Sequence, residues 1–108
     1  MKKHWYHILL ALAEGPAHGA DIRRRVLQHT NGSLELYPAM LYGSLEDLLE
    51  QGLLRETEGA KGQASQTTDR YRFMELTPAG RESLAAETNA YKEVVQIAEN
   101  LLEKGARS

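Results

Sequence analysis

Leu41, Leu45, Leu48 and Leu49 recur at helical spacing within "LYPAMLYGSLEDLLEQGLL" (36–54), so one face of a helix there is apolar. Gly52 stands where a left-handed residue would end that helix. Upstream, Trp5, Ile8, Leu9 and Leu12 form one stripe of a helix over 4–14, and Tyr6, Leu10 and Ala13 form a second. Two apolar sides predict burial from two directions. "EGPAHG" (14–19) breaks the pattern: Gly15 caps, Pro16 blocks continuation, and a second helix starts near His18. That helix buries Ile22, Val26 and Leu27 and turns Arg23, Arg24 and Arg25 outward. "NGS" (31–33) is a turn, and "LEL" (34–36) is a short extended piece that reads as an edge strand.

Beyond Gly52, "LLRET" and "RYRFMEL" (70–76) read as two strands with Leu54 and Phe73 on their buried faces. The stretch between them, "EGAKGQASQTTD", has no apolar period and reads as a hairpin tip. Thr77 is the expected N-cap and Pro78 the first residue of a last helix that runs to about residue 104. The predicted class is therefore mainly α with a small β-hairpin, in the order of a winged helix-turn-helix followed by a C-terminal dimerisation helix. In that architecture the third helix enters the DNA major groove and the hairpin lies on the backbone or minor groove beside it. Residues 1–76 are expected to form the DNA-binding domain. Residues 77–108 are expected to form the dimerisation helix, in one compact unit with the N-terminal helix.

Composition narrows the function. The chain has 108 residues, a formal net charge of −2 and no Cys, so disulfides and thiolate catalysis are excluded. Its longest apolar run, "ILLALA", is too short to span a bilayer. His7 and Glu14 bracket it too closely for a secretory leader, so no membrane association and a cytoplasmic location are expected. No Ser-His-Asp group, apolar carboxylate pair or phosphate-cradling Gly loop is present. His4 and His7 lack a third metal ligand at helical spacing. An enzyme, a metal site and a cofactor are accordingly not expected. Residues 1–75 carry nine Lys or Arg against ten Asp or Glu, so nucleic-acid binding must rest on where the charges sit.

The front of the third helix carries Pro38, Ala39, Met40, Tyr42, Gly43 and Ser44, while Glu46, Asp47 and Glu50 come late. That order runs against the helix dipole, as if something negative approaches its start. Tyr42 lies about 100° around the helix from Leu41, which places it either half-buried against the second helix or facing DNA.

"HILLALAEGPAHGADI", "YPAMLYGSLEDLLEQGLL" and "RYRFMELTPAGRE" together resemble the PadR family of bacterial transcription regulators, over about residues 6–84. The single C-terminal helix resembles the family's compact subfamily. The chain departs from the family at Ala39 and Met40, where Gly-Thr is usual, at Phe73 and Met74 for Tyr-Tyr, and at Ala20 for an aromatic. The resemblance implies a sequence-specific regulator, a repressor relieved by a small molecule, acting as a homodimer on a near-palindromic double-stranded operator.

With the resemblance added, DNA contacts are expected from Tyr42, Ala39, Met40, Gly43 and Ser44, from Lys61, Arg70 and Arg72 on the hairpin, and from His18 as helix cap or phosphate contact. Asp69 is the one acid close to Arg70 and Arg72 before Glu75. No Arg, Asn or Gln sits in the first turns of the third helix, so readout is expected through methyl contacts, Tyr42 and DNA shape. Leu84, Thr88, Tyr91, Val95, Ala98 and Leu102 follow the 3.5-residue repeat of a coiled-coil seam, widened by Val94, Ile97 and Leu101. Leu10 on the first helix is its expected mate. The resemblance also implies a planar aromatic effector held by Trp5, Tyr6 and Tyr91. The alternative is a winged-helix module that binds protein without DNA, which the near-neutral charge allows.

Overall fold

The computed structural model describes residues 1–57 and 72–106, so Lys61, Arg70 and the hairpin tip lie outside the described residues. Its elements are α1 (Lys3–Ala13), α2 (Gly19–His29), α3 (Pro38–Glu50), β1 (Leu54–Thr57), β2 (Phe73–Leu76) and α4 (Pro78–Ala106). Ile8, Leu9 and Leu12 of α1 meet Ile22 and Val26 of α2 and Leu41, Leu45 and Leu48 of α3 in one core. The apolar spacings of the three helices converge there as expected. Among the described residues, no helix is long and apolar enough to cross a membrane.

The turn between α1 and α2 is held by a side chain that the charge pattern had turned outward. Arg25 reaches back so that Nη1 donates to the carbonyls of Ala11 (3.1 Å) and Gly15 (2.8 Å). Ala11 lies in the last turn of α1 and Gly15 just beyond it, where a cation is favoured by the helix dipole. Glu14 and His29 close the same corner at 2.7 Å. Residues 34–36 form no strand: Leu36 is fully covered and Leu34 packs beside it, both plugging the core. The third strand-like segment comes instead from Ala17, which exchanges both backbone hydrogen bonds with Met74 (2.9 and 3.1 Å).

β1 and β2 pair antiparallel, Leu54 opposite Leu76 and Thr57 opposite Phe73. With Ala17 on its other edge, β2 is central, which explains why Phe73 and its neighbour Met74 are both buried. Phe73 packs edge-on against the His18 ring, centroids 5.3 Å apart.

α4 starts at a tight junction. Thr77 Oγ1 accepts from the Gly80 amide (3.0 Å) as an N-cap and donates to the Gly52 carbonyl (2.6 Å). The Thr77 amide donates to the Leu53 carbonyl at 3.1 Å. Leu84 then enters the core, and the Tyr6 hydroxyl meets Thr88 Oγ1 at 2.9 Å. Beyond Tyr91 the helix leaves the body, giving the chain extents of 62 × 27 × 24 Å. A Cβ on Gly80 would stand 2.0 Å from the Leu53 carbonyl oxygen, and backbone cannot give way as a side-chain tip can. Gly80→Ala should therefore lower unfolding stability by on the order of 3 kcal/mol in urea titration, against about 1 kcal/mol for Thr77→Ala. Equal stability of Gly80→Ala and the parent would refute the junction.

Candidate nucleic-acid interface

The outward face of α3 follows from its core stripe. Leu41, Leu45 and Leu48 point inward, which leaves Ala39, Gly43 and Glu46 on the opposite side with Met40 and Tyr42 on the two flanks. Ala39 and Gly43 make a low floor, so a surface can come close to the helix backbone there. Pro38 opens the helix, and the first turn carries no acid. Tyr37, Met40 and Tyr42 are 62%, 42% and 42% exposed.

The structure bears on two of the expected contacts. Ser44 is only 4% exposed, because it lies three residues past Leu41 and four before Leu48 and so shares the core stripe. His18 makes no side-chain cap; its ring is pinned between Asp21, with Nε2 3.3 Å from the carboxylate, and Phe73. Leu84, expected in the dimer seam, is committed to the chain's own core.

Tyr42 packs against the second helix and still keeps an outward surface. It is part-exposed, yet its hydroxyl end lies over Gly19 at the start of α2, where a Cβ would approach Tyr42 Oη to 2.8 Å. Gly19 is thus the seat on which Tyr42 is aimed. The bare "HG" pair did not disclose this, because the contact joins residues more than twenty positions apart.

Of the hairpin cations expected to meet DNA, Arg72 lies among the described residues, and it is already engaged. Nε donates to Glu56 on β1, and Nη1 lies 3.5 Å from Glu46 on α3. The hydrogen bond to Glu56 is the main cause of a guanidinium pKa above its ordinary value. Strand pairing and helix packing bring Glu56 and Glu46 to Arg72, neither of which chain order disclosed; Asp69 lies outside the described residues. Glu46 stands on the outward face one turn beyond Tyr42, so Arg72 neutralises the one acid in the middle of that face. Elsewhere Arg23 faces Glu35, Arg24 faces Asp21 and Arg55 faces Glu75.

At the other end, Tyr6 and Tyr91 pack edge to face, centroids 4.7 Å apart, and Lys2 Nζ lies 5.0 Å over the Trp5 ring. Desolvation first, then Glu87 and Tyr6, raise the Tyr91 hydroxyl pKa. Along the distal part of α4, Val94, Val95, Ile97, Leu101 and Leu102 are uncovered, with Leu102 at 74%. Among the described residues no group of three or more His, Cys, Asp or Glu is placed to hold a metal.

Three helices, a hairpin against the third, and a long closing helix define a winged-helix protein. The sequence matches the Transcriptional regulator PadR-like family over residues 8–86, and the chain belongs to that family, which makes it a transcriptional regulator rather than an enzyme. Solved structures share the fold. A PadR-like transcriptional regulator from Bacillus cereus is 17% identical, with 92% of this chain and 90% of that one covered and a TM-score of 0.73. A winged-helix DNA-binding protein from STIV is 20% identical, with 88% and 94% covered and a TM-score of 0.69. Bacillus subtilis PadR, solved in complex with operator DNA, is 21% identical, with 81% of this chain and 47% of that one covered and a TM-score of 0.65. A search of curated proteins finds no match.

Proposed function

We propose that this chain is a cytoplasmic repressor that binds a near-palindromic operator as a homodimer, residues 1–76 reading DNA and residues 77–108 pairing the copies. The observation that carries the reading is the acid-free, part-exposed front of α3, with its small floor at Ala39 and Gly43, set beside the hairpin. The relative from Bacillus subtilis, similar in fold over the matched part, is solved in complex with operator DNA, which supports it. Tyr42 and the hairpin bases Lys61, Arg70 and Arg72 serve the phosphates, and Ala39, Met40 and Gly43 face the base edges. Arg72 must exchange Glu56 for a phosphate to do so while staying beside Glu46.

The near-neutral charge favours the rival, a module that binds protein alone. Salt separates them. If the dimer neutralises about six phosphates, log K should fall with log salt at a slope near about −5. Tyr42→Ala, which removes one hydroxyl contact, should weaken binding by about 1 kcal/mol, roughly fivefold, at unchanged stability. Absence of any binding to DNA selected from a random pool, or a flat salt response, would favour the rival.

The homodimer rests on the uncovered stripe of α4. Val95 is exposed in the single chain, so Val95→Asp leaves its fold intact while burying a charge in the seam, at a cost of several kcal/mol. Sedimentation should show a monomer, and operator affinity should collapse because the half-sites are no longer linked. A dimeric Val95→Asp variant that binds normally would move the interface elsewhere.

Relief by a planar aromatic molecule is proposed at Trp5, Tyr6 and Tyr91, of which Tyr6 and Tyr91 pack edge to face, because flat ring faces can stack on a flat ligand. Titration with planar cationic dyes and phenolic acids should quench emission from Trp5, the only tryptophan, saturably. The quenching should be lost in Tyr91→Ala. No response from any of these compounds would leave Trp5 a packing residue.

A further inference from the structure

What the outward face of α3 lacks restricts what it can read. From Pro38 to Glu50 the helix has no Arg, Lys, His, Asn or Gln. Ser44 is turned into the core, and Glu46, the outward acid best placed to accept from a cytosine amino group, is held by Arg72. Ahead of Glu46 the exposed side chains are Tyr37, Pro38, Ala39, Met40 and Tyr42. Apart from Met1, the large apolar side chains exposed among the described residues lie either here or on α4. The two places are chemically alike, but the front of α3 sits beside the hairpin, away from the helix stripe.

In the major groove every base edge offers hydrogen-bond donors or acceptors, and thymine alone adds a methyl group. Amino and carbonyl groups pressed against Met40 would lose water without gaining a partner, which is costly. A thymine methyl against the same side chain gains by apolar burial. We infer that Met40 and Tyr37 are specificity-determining residues that read thymine methyls across the Ala39 and Gly43 floor. The half-site therefore places T·A pairs under the first turn of α3. This inference rests on the DNA-binding reading of the site and specifies what that site recognises.

The test uses the full-length chain and the duplex that it enriches from a random 20-base-pair pool, with each thymine of the half-site replaced in turn by deoxyuridine. That change removes one methyl and leaves charge and pairing intact. The parent should lose about fourfold in affinity at one or more positions, the worth of one buried methyl. Met40→Ala, a change at an exposed position, should keep the parent's thermal midpoint and its salt slope while its thymine-to-uracil ratio falls toward one.

Equal affinity of the parent for thymine and uracil duplexes overturns the inference and leaves DNA binding standing. An enriched half-site without T·A pairs does the same. A Met40→Ala variant that keeps the full ratio assigns the methyl contact to another residue and overturns the role given to Met40. If no duplex is enriched at all, the DNA-binding reading fails and this inference fails with it.

Discussion

Where the backbone of Gly80 lies against the Leu53 carbonyl, even one added carbon would stand 2.0 Å from that oxygen. Four elements meet at this point. α3 has just ended at Gly52 with φ +75°, β1 begins at Leu54, β2 ends at Leu76, and α4 begins at Pro78. Thr77 fastens the junction from both sides, capping α4 while donating to the Gly52 carbonyl. The direction in which α4 leaves is therefore fixed relative to α3 by backbone contact, not by long side chains. A helix of 29 residues turns any angular slack at its root into several ångströms at its tip, so a rigid root matters more here than in a short helix.

The distribution of charge explains how a near-neutral chain can present a usable front. Arg23, Arg24, Arg55 and Arg72 each face a carboxylate, and Arg25 is spent on the end of α1. Exposed pairs of this kind contribute about 0–1 kcal/mol each to stability. Their larger effect is local: they quiet the acids around α3, above all Glu46, whose charge would otherwise meet phosphate at the middle of the outward face. The net charge thus says little about the surface that counts, because cations and acids cancel in place.

Much of the fold was legible because its signals are local. Apolar spacing located α1, α2 and α3 to within about a residue or two, and the Thr-Pro pair marked the start of α4. Tyr42 and the uncovered stripe of α4 were also legible, since helical spacing alone puts them off the core. Most of the misses share one physical origin, contacts between residues distant in sequence. Arg25 looked like part of a solvated run until the end of α1 was folded beside it. Arg72 looked available because its partners, Glu46 and Glu56, are 26 and 16 positions away. Leu34 to Leu36 had strand composition, but Leu34 and Leu36 pack into the core, and Ala17 takes the edge of β2. Ser44 was misplaced by a reading of composition over periodicity, an error the spacing from Leu41 could have prevented.

The two apolar surfaces left uncovered belong together. In the proposed assembly, one half-site held by a few phosphate contacts and apolar base contacts would be weak, because so many cations are spent inside the chain. Coupling two such sites through a common scaffold multiplies their affinities without any new contact to DNA, provided the spacing fits. In that assembly the α4 stripe would supply the coupling and the Gly80 junction the spacing. Tyr6 and Thr88 tie α1 to α4 through one pair of hydroxyls close to Tyr91. In the proposed regulation, a ligand at Trp5, Tyr6 and Tyr91 would act on this contact between α1 and α4. It would need to bind one spacing better than the other, and nothing at the reading helix itself would have to change.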